Sequence, residues 1–113
     1  MLREKAIINV QFKSTFSIKK LHKISYKHKD EMANINGLII KYYYVNPETK
    51  IIGGTYFFED IFQARDYLNH FFLKGIGLQY GIIPDTLKVE INVISFEVKG
   101  TNTKQERKGN NLS

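Results

Sequence analysis

Residues 38–45 read LIIKYYYV, apolar or aromatic at every position except Lys41. No other stretch restricts the fold as strongly. A strand with one face on a core alternates apolar and polar side chains, whereas a strand that is apolar at both parities needs cover on both faces. Here Leu38, Ile40, Tyr42 and Tyr44 form one set, and Ile39, Tyr43 and Val45 the other. Asn46 and Pro47 open a turn, so residues 46–50 predict a hairpin loop into a second strand, which opens on Gly53 and Gly54 and turns aromatic at Tyr56, Phe57 and Phe58. A sheet holding this pair needs helices on one side and something else on the other.

The rest of the chain supplies those helices. Ala6, Ile8, Val10 and Phe12 alternate with Ile7, Asn9 and Gln11 as a first strand. Ser14 and Ser17 offer N-caps for a first helix that runs to Gly37, with Ile18, Leu21, Ser25, His28, Met32 and Ile35 on its buried stripe. Lys19, Lys20, Lys23 and Lys27 take the opposite side. Asp60, with Gln63 three places on, reads as a capping box for a second helix. Ile61, Ala64, Leu68 and Phe71 form that helix's apolar face, His70 projects away with Gln63, Asp66 and Tyr67, and Gly75 and Gly77 mark its end. Residues 86–98 read as a long last strand whose pattern slips phase at Ile94, the mark of a bulge. At ~3.3 Å per residue it spans roughly 40 Å, so part of it overhangs its own sheet.

The order β-α-β-β-α-β predicts an α+β, ferredoxin-like fold: a four-stranded antiparallel sheet with both helices on one face. Residues 1–99 form this single domain, and the polar residues 100–113 a disordered tail. The second sheet face then calls for a second copy of the chain or for stacked nucleic-acid bases.

Composition narrows the chemistry. The chain has no cysteine, which excludes disulfides, thiol catalysis and cysteine-ligated zinc. Its three histidines are scattered without ligand spacing, so no metal site is expected. No apolar run approaches the ~20 residues of a membrane span, and no signal-peptide pattern opens the chain, so a cytoplasmic protein is expected. A net charge of +6 admits an anionic partner. Nucleic acid is nevertheless not the expected partner: the third strand of an RNA-recognition motif wants a cation where Gly53 stands and a ring where Thr55 stands, and the lysines lie on the helix side.

The segment NGLIIKYYY, the following GGTYFFED, and the helix carrying ARDYLNHF together resemble the YdhR family of putative monooxygenases, within the dimeric α+β barrel superfamily. The resemblance covers roughly residues 7–98. It implies a homodimer in which two sheets close a barrel, and in each subunit a pocket between sheet and helices. It also implies cofactor-independent oxygenation of a small aromatic or phenolic compound, whose anion reduces dioxygen directly. A non-catalytic small-ligand-binding or interaction dimer of the same fold is the alternative.

His28 and Lys41 are the catalytic candidates. His28 is the ionisable group on an otherwise apolar stripe, a general base, or else a core histidine bonded to a carbonyl or one at the stripe's wet end. Lys41 interrupts an apolar run, so it either holds a phenolate or carboxylate, or is an edge-strand lysine that reaches solvent and blocks aggregation. Asn9, Tyr43 and Tyr56 are candidate pocket residues, set against a wet polar spot for Asn9 and a core role for the tyrosines. Gly53 and Gly54 either leave room for a substrate or mark a bulge or close helix approach.

Overall fold

The computed structural model describes residues 3–73 and 79–104. Strand β1 spans Ala6–Phe12, helix α1 Ile18–Lys27, helix α2 Lys29–Ala33, strand β2 Leu38–Val45, strand β3 Ile52–Phe58, helix α3 Ile61–Leu73 and strand β4 Lys88–Val93. All strand pairs are antiparallel, in the order β2-β3-β1-β4. This is the ferredoxin-like α+β fold that the periodicities predict, with β1 and β3 central.

One face of the sheet carries the core. Ala6, Ile8, Val10 and Phe12 of β1 pack with Tyr56 and Phe58 of β3, and α3 lays Ile61, Ala64, Tyr67 and Phe71 over them. Leu21 of α1 is buried on the same side. The hairpin between β2 and β3 turns on Asn46, whose Oδ1 accepts from the backbone N–H groups of Glu48 and Thr49 at 2.9 and 3.0 Å. Lys50 completes it with φ at +65°. The helical segment expected to run to Gly37 ends earlier, at Ala33 with Asn34 as its C-cap, and Gly37 serves the turn into β2 at φ +82°, a left-handed conformation cheap only for glycine.

Several local expectations are corrected. The first helix is two: α1 stops at His28, whose φ/ψ of −96°/10° leaves the helical region, and α2 restarts at Lys29. The stripe is therefore not continuous, and His28 stands at a junction rather than within a buried face. Asp60 caps α3 by accepting from Phe62 N–H at 3.0 Å, but Gln63 does not complete a capping box; its side chain lies over Gly37 instead. Tyr67, expected to point away with His70, is buried, because α3 is rotated so that Tyr67 and not Leu68 sits at the centre of its inner face.

The bulge is also elsewhere. It lies in β2, where Leu38 pairs with Phe58 and Ile40 with Phe57, leaving Ile39 without a cross-strand partner. β4 ends at Val93, and the register of β2 on β3 runs unbroken through Gly53 and Gly54. The helix end expected at Gly75 and Gly77 lies outside the described residues, as does the tail from residue 105.

The second sheet face carries Ile40, Tyr42 and Tyr44 of β2, Phe57 and Thr55 of β3, and Ile7 and Asn9 of β1. Among the described residues nothing covers its β2 side, where Tyr42 is 55% exposed.

Candidate active site

Between the core face of the sheet, α3 and the α1–α2 junction lies a cavity of about 560 Å³. Lys41 and Tyr56, direct partners across β2 and β3, form its sheet side. Gln63, Tyr67 and Phe71 line it from α3, His28, Met32 and Ile35 from the helical junction, and Tyr80 adds a further aromatic wall.

The bulge at Ile39 explains why a lysine is inside. In a regular strand, Leu38 and Lys41 would point to opposite faces because side chains alternate with period 2. The extra residue inverts the parity, so Leu38 packs on the core and Lys41 also faces inward. Gly54 then leaves room for the lysine: a Cβ there would stand 3.1 Å from Lys41 Cε. Lys41 Nζ ends 3.9 Å from the centre of the Tyr43 ring and 4.3 Å from that of Tyr56. Among the described residues no carboxylate is within ion-pairing distance of it. The ring faces favour the ammonium, but burial opposes it more strongly and brings the Lys41 amine down to about 7. At neutral pH this lysine is therefore divided between ammonium and free amine.

The tyrosines respond in the opposite sense. Tyr67 donates a hydrogen bond to the Tyr56 hydroxyl at 3.1 Å, their ring centres 5.0 Å apart. Burial raises Tyr67 to about 12 and Tyr56 well above its ordinary range, and it raises Tyr43 and Tyr80 as well. All four remain protonated at neutral pH. One hydrogen bond joins the two hydroxyls, so one proton of the pair is left for an acceptor in the cavity.

The rim is polar. His28 Nδ1 is 2.9 Å from Glu31 Oε1, with the imidazole 31% exposed. His70 Nδ1 is 2.8 Å from the Asp66 carbonyl oxygen, and His70 and Asp66 stand on the α3 side of the same cavity. Gln63 Oε1 is buried with no hydrogen-bond partner among the described residues, an acceptor on the cavity wall.

Of the residues singled out from the sequence, His28, Lys41 and Tyr56 line this cavity. Tyr43, Gly53 and Gly54 border a smaller space of about 40 Å³ that also touches Lys41 and Tyr56. Asn9 is on the opposite sheet face, where its Oδ1 accepts from the Thr55 hydroxyl at 2.7 Å, so it does not line the cavity. Gly53 likewise turns its open side to that face, beneath Tyr44. Sequence reasoning missed Gln63, Tyr67, His70 and Tyr80. Tyr67 had a legible signal, since it lies three residues after Ala64 and four before Phe71, on one helical face.

A family model described as "Putative mono-oxygenase ydhR" matches residues 7–108. No curated protein matches the chain. Among solved structures, a variant of SnoaB, a cofactor-independent oxygenase from Streptomyces nogalater, superposes with a TM-score of 0.57 at 9% identity. The superposition covers 85% of this chain and 96% of that one. At that identity the likeness concerns the fold.

Proposed function

The chain belongs to the ydhR family, and on that premise we propose that it is a cofactor-independent monooxygenase that oxidises a small phenolic aromatic in the cavity between sheet and helices. The observation that carries this reading is Lys41, an inward-facing amine near neutrality, walled by aromatic rings and with no carboxylate partner among the described residues. A free amine there takes the proton of a bound phenol, and the resulting ammonium holds the phenolate. Tyr56 donates its hydroxyl proton to the same oxygen or to a neighbouring one.

The electron-rich ring then reduces dioxygen by one electron, and the two radicals combine at a ring carbon bearing hydrogen. Loss of that hydrogen as a proton cleaves the O–O bond. One oxygen atom stays on carbon as a quinone carbonyl and the other leaves as water, so phenol plus O₂ balances quinone plus water. The protein's part is to hold the anion, exclude bulk solvent and manage two protons. His28, hydrogen-bonded to Glu31 at the rim, is placed to pass protons between cavity and solvent.

The working unit in this reading is a homodimer. Ile40, Tyr42, Tyr44 and Phe57 make an apolar patch on the free sheet face, and beyond β4 Phe96 and Val98 are 78% and 82% exposed. Burying such a patch against its own copy supplies the second cover that the sequence of β2 demands.

Oxygen uptake with a panel of quinols and phenols tests the reaction, comparing wild type with Lys41→Ala and His28→Ala. Lys41→Ala is expected to lose at least ~100-fold in kcat, as removal of a general base does. Saturable binding without oxygen uptake from any substrate would instead make the chain a ligand-binding module.

A further inference from the structure

Lys41 has surroundings that proton transfer alone does not require. A base needs a proton donor within reach, and solvent-linked histidines at the rim would serve. Lys41 is instead an amine held by two ring faces, with no hydrogen-bond acceptor or carboxylate among the described residues, and its Nζ is open to the cavity. Its stem passes over Gly54 and its head lies between Tyr43 and Tyr56, which brings the free amine to the cavity side of the sheet. Desolvation without a counter-ion is also what converts lysine from a solvated cation into a nucleophile.

We propose that Lys41 captures the carbonyl group of a flat aromatic aldehyde or ketone inside this cavity, as an imine on Nζ. The Nζ lone pair bonds to the carbonyl carbon, and the C=O π pair moves to oxygen, which takes up a proton as nitrogen loses one. The carbinolamine then expels that oxygen as water, with a second proton delivered by the Tyr56 hydroxyl or from solvent, the C=N bond forms, and the remaining N–H proton returns to Tyr56 or to solvent, leaving the imine. Nothing is oxidised or reduced, and water reverses the sequence. The ring of the ligand stacks where Phe71 and Tyr80 wall the cavity, which favours aryl over alkyl carbonyls. The inference rests on the cavity around Lys41 and not on oxygen chemistry, so it stands or falls separately from the oxygenase reading.

The groups that face Lys41 decide its pH profile. Tyr43 and Tyr56 from the sheet, and Tyr67 and Tyr80 beyond them, are all raised by burial and stay neutral through pH 9. Glu31 and His28 from the helical junction, and Asp66 and His70 from α3, are the charged or titratable groups at the rim. Replacing each histidine by glutamine separates their titration from that of the lysine.

The test is reductive trapping on the full chain: 2-naphthaldehyde with cyanoborohydride, from pH 6 to 9, read by peptide mass mapping. Lys41 is expected to be alkylated at least ~10-fold faster than any other lysine at pH 7, because surface ammonium groups hold their protons until near pH 10. Its rate rises through pH 7 and levels by pH 8, while that of Lys29, whose ammonium is stabilised by the Tyr26 hydroxyl, keeps climbing. The inflection persists in His28→Gln and His70→Gln, and the fast site disappears in Lys41→Met. Labelling of Lys41 no faster than that of Lys29, or a fast site that survives Lys41→Met, would overturn the proposal. Should Lys41→Met fail to fold, the map of the wild-type protein decides alone.

Discussion

Tyr44 of β2 lies over Gly53 of β3, its direct partner across the ladder, with its ring in the space a Cβ at residue 53 would fill. The ring is held from the other side by Gln11, whose Nε2 donates to the Tyr44 hydroxyl at 2.8 Å. An aromatic ring packed on a cross-strand glycine restores the side-chain cover that the glycine lacks. The two adjacent glycines thus serve opposite faces: Gly53 admits Tyr44 on the free face and Gly54 admits Lys41 on the cavity face.

Gly53→Ala is therefore expected to destabilise the protein by about 1–3 kcal/mol, the usual cost of overpacking. Gly54→Ala costs less, because the atom it meets at 3.1 Å is in the flexible stem of Lys41 and can move. Urea unfolding of Gly53→Ala, Tyr44→Ala and the double variant checks the assignment. A coupling energy above ~0.5 kcal/mol ties the cost to the ring, whereas strict additivity would place it in the backbone.

The depressed Lys41 gives stability a definite pH dependence. Between pH 7 and about 10.5 the unfolded chain holds a proton on Lys41 that the folded chain has lost, so unfolding takes up a proton and stability rises with pH in that window. The slope from this one group is at most about 1.4 kcal/mol per pH unit. Lys41→Met removes it, so the stability advantage of this variant over wild type shrinks from pH 7 to pH 10. Above pH 10 the sign reverses for both proteins, because the raised tyrosines stay protonated in the fold while their unfolded counterparts ionise. Chemical denaturation at pH 7, 8.5 and 10 reads the difference directly, and parallel curves for the two proteins would contradict it.

The fold was legible because it is written in periods. β1 alternates strictly, and LIIKYYYV announces a strand that is apolar at both parities. Asp60 marks the start of α3 through local capping, and Gly37 the turn into β2 through its backbone freedom. The site was less legible, because its geometry depends on events that leave no period. A single inserted residue at Ile39 decides that Lys41 faces the core, and nothing in the residue types near it marks the bulge. His28 was found by projecting one continuous helix that in fact breaks at that residue, and it lines the cavity through its position at the junction. Tyr67 was lost through a choice between two neighbouring residues on α3, Tyr67 and Leu68, either of which fits an inward stripe. Only packing against Tyr56 and Phe58 selects the tyrosine.

That selection can be tested through the hydroxyl pair. Tyr67→Phe keeps the ring but removes the donor to Tyr56 Oη, leaving a buried hydroxyl short of a partner. A loss of about 1–2 kcal/mol is expected, as for other buried groups deprived of a hydrogen bond. Tyr56→Phe with Tyr67→Phe should cost less than the sum of the two single changes, because the double variant leaves neither polar atom behind. Thermal and urea unfolding of the three variants measure this, and a neutral Tyr67→Phe would show that water already satisfies the pair.

The proposed homodimer is tested on the free sheet face. Tyr42 is 55% exposed and meets Phe57 edge-on, with ring centres 6.3 Å apart, at the middle of the apolar patch. Its side chain points away from the cavity, so a change there leaves Lys41 and the core untouched. Wild type is expected to sediment as a dimer at micromolar concentration. Tyr42→Asp buries a carboxylate in each copy of a two-fold interface, placing like charges near each other without partners, and should weaken association at least ~100-fold. Circular dichroism of the variant should keep the wild-type form, since the replaced side chain supports the partner's cover and not the sheet's own core. A wild-type chain that sediments as a single subunit at that concentration would leave Ile40, Tyr42 and Tyr44 uncovered and remove the dimer from the proposed mechanism.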